Sequence, residues 1–209
     1  MSKFILASAS PRRIELLSQI NVTPDKVCPA DIDENVLKGE KPEHYVTRLA
    51  RQKAAHVAEN SKIEGCYVLA ADTAVACGRQ ILDKTQDEKE ARGHLRKLSG
   101  RRHKVFGGIC LMAPDGKTST RLVTTRIAFK RLDDTEMAYY LESKDWEGKA
   151  GGYGIQGLAG AFVKSLNGSY TNVVGLCLYT TSRMLVGAGY PLYNQKDDWK
   201  QEKSISYGD

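Results

Sequence analysis

A chain of 209 residues, 41% hydrophobic and 27% charged, can bury one substantial core, and its net charge of +6 favours an anionic partner. Its basic residues are spread without a Lys/Arg block, which argues against nucleic acid, and no apolar run approaches the roughly 20 residues that cross a bilayer, which argues against a membrane. The 5 cysteines, Cys28, Cys66, Cys77, Cys110 and Cys177, match neither a zinc site nor a redox pair, and no signal peptide is read, so they are expected to be buried thiols of a cytoplasmic protein.

Lys3–Ala7 reads as a buried strand, and Pro11–Ile20 as a helix with Ile14, Leu17 and Ile20 on one face. Between them lies Ser8-Ala-Ser-Pro-Arg-Arg13. Pro11 suits a first helical turn, Ser10 is the expected N-cap, and a helix start gathers unpaired N–H groups. With Ser8, Arg12 and Arg13 added, the corner reads as a phosphate site or as an ordinary strand-to-helix turn. Pro24–Ala30 is extended and leads to the acidic stretch Asp31-Ile-Asp-Glu34. Pro42–Asn60 is a helix whose Val46, Leu49, Ala50, Ala54 and Val57 keep helical period. Lys53 stands among these apolar residues and can face inward.

Cys66–Ala76 is an apolar run broken by Asp72-Thr73, and Gly78-Arg-Gln80 turns it into Ile81-Leu82. A carboxylate there is costly unless paired, hydrogen-bonded or metal-bound. Asp72 could bridge magnesium to phosphate oxygens, or simply cap a neighbouring turn or pair with a lysine. Glu34 could supply a second carboxylate to the same cation, or belong to a solvated loop. Lys84 precedes the helix Asp87–Leu98, which Ser99-Gly100 closes. His103–Met112 and Ser119–Phe129 are strands around the turn Pro114-Asp-Gly116. Asp133–Ser143 is a helix capped by Asp133 or Asp134. A glycine-rich loop runs from Gly148 to Gly160, where Tyr153 offers a flat face and Gln156 a donor and an acceptor for a base edge. Ala161–Leu166 is a strand, Thr171–Leu185 a single helix, and 194–209 a polar tail after a domain of residues 1–193. The order implies an α/β protein with a mixed central sheet and flanking helices.

The segments SASPRRIELL, LAADTAV, RKLSGRRHKV, KAGGYGIQGLAGAFV and GSYTNVVGL, in that order, closely resemble the Maf family of nucleoside triphosphate pyrophosphatases. The resemblance runs from about Phe4 to Leu185. It implies a fold related to inosine triphosphate pyrophosphatases, with two lobes and a cleft, and hydrolysis between the α and β phosphates with a divalent metal, Mg or Mn. It assigns Asp72 as general base and Ser8, Arg13, Lys53 and Lys84 to the phosphates, with Asp72, Lys53 and Lys84 as the catalytic set. Glu34 joins Asp72 on the metal side. Arg12, Thr73 and Gln156 match three positions that separate a dTTP- and UTP-hydrolysing branch from one acting on 7-methyl-GTP. Thr85 and Cys177 stand where prolines are usual, and Gly107 where a hydroxyl or small residue is common. A homodimer is left open. The rival readings are a non-catalytic nucleotide-sensing regulator of cell division and a nucleic-acid-binding protein, the latter without a recognised motif.

Overall fold

The computed structural model describes residues 3–60 and 65–193, so the tail expected at 194–209 lies outside the described residues. The first apolar run forms β1 (Phe4–Ala7), buried at every position, and Pro11 opens α1 (Pro11–Ser18). There follow β2 (Lys26–Val27), α2 (Pro42–Asn60), β3 (Tyr67–Cys77), β4 (Gln80–Leu82), α3 (Glu88–Leu98), β5 (Arg102–Met112) and β6 (Thr118–Phe129). Then come α4 (Asp134–Glu142), β7 (Val163–Asn167), α5 (Tyr170–Val174) and α6 (Leu178–Gly187). Asp133 caps α4 with a capping box, its side chain accepting from the Glu136 amide. Among the described residues no helix is long and apolar enough to cross a membrane.

The strands form one mixed sheet in the order β2-β1-β3-β5-β6-β7, with β4 also on β3. β1 pairs in parallel with β2 and β3, and the other pairs are antiparallel. Side chains alternate across β1: Phe4 and Leu6 pack with Leu16, Leu17 and Met184, while Ile5 and Ala7 pack with Ala50, Ala54 and Val57. Helices α1 and α6 therefore cover one face and α2 the other. β3, β5 and β6 run on into a second cluster where Val75, Val105 and Ile127 meet Leu95 of α3 and Tyr140 of α4. The long strands thus join two lobes, and the carboxyl end of β1 and the middle of β3, just past its pairing with β1, open between them.

Two helix expectations are corrected. The helix expected over Pro11–Ile20 ends at Ser18, because Asn21 takes a positive φ of 55° and the Val22 amide returns to the Leu17 carbonyl. Its buried residues are Leu16 and Leu17, while Ile14 is 37% exposed. The helix expected over Thr171–Leu185 is two helices, broken at Gly175 with φ 146°. Cys177 starts the second with φ −71°, a value a proline also takes, which explains how either residue fits.

Gly107 and Gly108 let helices approach β5 from both sides. A Cβ on Gly108 would lie 2.1 Å from the Val46 carbonyl oxygen of α2, and one on Gly107 would lie 2.0 Å from Asn172 Oδ1 of α5. Since the first obstacle is backbone, Gly108→Ala must push α2 off the sheet. We expect a loss of about 2–3 kcal/mol in urea unfolding.

His103 lies among Phe129 and Tyr153, its Nε2 2.8 Å from the Tyr153 hydroxyl. Burial pushes its pKa down to about 4. Between that value and the ordinary 6.5 the unfolded chain binds the extra proton, so stability is full above 6.5 and is lost as pH falls towards 4. The loss amounts to about 3 kcal/mol. Unfolding curves at pH 7 and pH 4.5 should show it, and His103→Gln should flatten that part of the pH dependence.

Candidate active site

Helix α2 is held to β3 through charge as well as packing. Lys53, buried on the sheet-facing stripe, places Nζ 2.7 Å from Asp72 Oδ1 and 2.7 Å from Glu34 Oε1. Asp72 is 5% exposed, so this ammonium offsets a charge that would otherwise be costly to bury. Asp72 therefore pairs with a lysine, one of the readings open from sequence. The same contact gathers both carboxylates expected on the metal side. Burial pushes the Glu34 carboxyl up, but the hydrogen bond and charge of Lys53, with the charges of Lys84 and Arg13, hold it below the usual range.

Glu34 sits on an exposed loop, yet α2 grips that loop at several points. The Tyr45 hydroxyl donates to the Glu34 carbonyl at 3.0 Å, and burial, with the charges of Asp72, Asp83 and Glu34, pushes its pKa up, so it remains a donor. Arg48 donates to both carboxylate oxygens of Glu40, at 2.7 and 2.8 Å, and to the Asn35 carbonyl at 3.0 Å. Tyr45, Leu49 and Lys53 recur every fourth residue, so one stripe of α2 binds Glu34 by its main chain and by its carboxylate. Asp31 and Asp33 stay exposed, and Asp33 accepts from the Asn35 amide.

Thr73 follows Asp72 on β3 and points to the opposite face. There Arg13 donates through Nη2 to Thr73 Oγ1 at 3.3 Å, through Nη1 to Ser8 Oγ at 2.8 Å, and through Nε to the Gly175 carbonyl at 3.0 Å. Burial pushes the Arg13 pKa down, and the charge of Asp72 works against that shift. The left-handed turn at Gly175 that ends α5 thus presents a carbonyl to Arg13. The expected cap by the Ser10 hydroxyl does not form. Instead Ser8 Oγ accepts from the Ser10 amide at 3.2 Å.

These groups border a cleft of about 640 Å³, within the range of small-molecule sites. Ser8, Arg12, Arg13, Glu34, Lys53, Thr73, Lys84 and Gln156 all line it, and Asp72 lines an adjoining cavity of about 370 Å³ that shares Glu34, Thr73 and Lys84. The structure thus brings the expected site residues to one place. Lys84 is exposed and bridges to Ala150 of the glycine-rich loop. Thr85, where a proline is usual, is buried, and its hydroxyl accepts from the Asp87 amide at 3.0 Å, setting the turn between Lys84 and α3. Sequence reasoning gave no role to Tyr45, Arg48, Gly175, Asp145 or Lys149. Only the eight-residue spacing of Tyr45 and Lys53, two helical repeats, signalled any of them.

Glu34 and Asp72 fit a hard divalent cation, since both already converge on one positive charge and both offer oxygen. Among the described residues no group of three His, Cys, Asp or Glu side chains could hold a metal. Phosphate oxygens and water would therefore complete the shell, as is usual for magnesium.

A family model described as Maf-like protein matches residues 3–188. The chain is 55% identical over 190 residues to a protein of Paramagnetospirillum magneticum named dTTP/UTP pyrophosphatase, covering 91% of this chain and 99% of that one. A protein of Caulobacter vibrioides with the same name is 55% identical over 186 residues, covering 89% and 95%. Among solved structures, the Ham1 protein of Staphylococcus aureus is similar over 61% of this chain and 72% of its own, with 19% identity and a TM-score of 0.43.

Lys53→Met would leave Asp72 buried without its counter-charge, whereas Asp72 and Lys53 together are nearly balanced. The substitution should lower stability by about 3 kcal/mol at neutral pH, read by urea unfolding.

Proposed function

The chain belongs to the Maf-like protein family, and from that premise we propose that it is a nucleoside triphosphate pyrophosphatase acting on dTTP and UTP, with residues 1–193 as its catalytic domain. The observation that carries this reading is the pairing of Lys53 with Glu34 and Asp72 at 2.7 Å, beside a corner where Arg13 and Ser8 meet. Hydrolysis uses carboxylates beside the phosphates to orient water or hold a metal, whereas simple anion binding has no use for carboxylates among its basic groups. The alternatives, a non-catalytic regulator or a 7-methyl-GTP enzyme, have no comparable support.

The reaction is an in-line displacement. A water oxygen bonds to the α-phosphorus, the bond from that phosphorus to the α–β bridging oxygen breaks, and pyrophosphate leaves. Asp72 orients the water and accepts its proton. Arg13, Lys53 and Lys84 neutralise the phosphates and the charge that develops on the leaving group. Ser8 and the amides at the start of α1 add neutral donors. A magnesium or manganese ion held by Glu34 and Asp72 would polarise the phosphate oxygens and acidify a bound water. Arg12, Thr73 and Gln156 take the nucleoside end, and Thr73 also holds Arg13, which links base selection to the phosphate clamp.

The test is pyrophosphate release across canonical and modified nucleoside triphosphates with magnesium or manganese. Wild type should prefer dTTP and UTP. Asp72→Asn should lower kcat at least about 100-fold, the scale of a lost general base, while circular dichroism stays that of the wild type. Near-wild-type rates in that variant with every nucleotide would remove Asp72 from this role.

A further inference from the structure

The loop between α4 and β7 carries Gln156, and its two ends are tied together by one side chain. Asp145 Oδ1 accepts from Lys149 Nζ at 3.0 Å, and the Asp145 carbonyl accepts from the same ammonium. Asp145 Oδ2 accepts from the Leu158 amide at 3.2 Å. The brace therefore spans Gln156 from both sides.

Two glycines lie against it. A Cβ on Gly157 would lie 2.0 Å from Asp145 Oδ2, and one on Gly154 would lie 2.8 Å from Lys149 Cδ and Cε. Neither glycine has a left-handed φ; Gly157 leaves the space that the Asp145 carboxylate occupies, whereas a side chain at Gly154 would meet only the flexible end of Lys149. The side chains of Lys149 and Asp145 remain 20% and 28% exposed. A pair that exposed contributes little to stability, so its consequence lies in geometry. Asp145, Lys149 and Gln156 all line the cleft.

We propose that Asp145 and Lys149 are positioning residues for nucleobase recognition: their ion pair presets the loop that presents Gln156 to the base. This rests on the reading of Gln156 as a base-side residue. A preset loop loses less freedom when substrate binds, so the brace acts on KM more than on kcat. It also keeps Gln156 at a fixed distance from Thr73 and Arg12, which favours bases of one size.

The test is steady-state pyrophosphate release from UTP and ATP by the full chain. The variants are Asp145→Asn, Gly157→Ala, Gln156→Ala and the double variant Asp145→Asn/Gln156→Ala. Asp145→Asn should raise KM for UTP about threefold, in keeping with the modest worth of a partly exposed pair, and should lower kcat less. Gly157→Ala, whose methyl displaces the Asp145 carboxylate, should do the same and reports on the brace should Asp145→Asn fold poorly. The UTP preference over ATP should narrow in both. Once Gln156 is removed, Asp145→Asn should add little, because both act through one contact. Independent, multiplying effects of the two substitutions would overturn the proposal, as would an unchanged KM and preference in both Asp145→Asn and Gly157→Ala. If Gln156→Ala itself changes neither quantity, the base-side reading falls and the brace falls with it.

Discussion

The buried ammonium of Lys53 is the interaction on which the site depends. Two carboxylates brought this close repel, and Asp72 lies in an apolar strand where its charge is poorly solvated. Lys53 resolves both problems with one group, reaching Asp72 and Glu34 at 2.7 Å each. That reach requires α2 to lie close on the sheet. The closeness comes from Gly108, whose missing side chain leaves space for the Val46 carbonyl. A glycine in β5 thus controls the electrostatics of β3.

β3 divides the labour between its two faces. Asp72 turns to α2 and the acidic loop, and Thr73 turns to Arg13 and Gly175. Consecutive residues of a strand must diverge in this way, so the middle of β3 meets two separate groups of partners, one on each face. The break between α5 and α6 belongs to the same design. A continuous helix would have committed the Gly175 carbonyl to its own hydrogen-bond ladder, whereas the left-handed turn leaves it for Arg13. Arg13 is then fixed at three points, which presets the direction of its remaining N–H groups.

Much of this was legible in the chain. The apolar runs of β1 and β3, the inward stripe of α2 and the Asp133 cap follow from period and local chemistry, and each formed as expected. Asp72 stood out because a charge in such a run needs a reason. Lys53 stood out because its neighbours at helical spacing are alanines and leucine. The errors fell where a local rule met a tertiary demand. Leu17 is buried and Ile20 packs on the core as expected, yet the docking of α1 adds Leu16 and leaves Ile14 exposed. Ser10 is a good cap by type, but Ser8 takes its amide.

The sequence by itself determined the alternation of strands and helices, the family resemblance, and which charges stand in apolar surroundings, because these follow from neighbours along the chain. Tertiary structure alone decided that Lys53 joins Glu34 to Asp72, that Gly175 serves Arg13, and that Asp145 ties Lys149 to Leu158. The first two contacts join residues 19 to 162 positions apart, and no periodicity reports a distance of that kind. Even the short Asp145–Lys149 spacing did not reveal the brace, since its contact with Leu158 depends on Gly157 leaving space that only the folded loop defines.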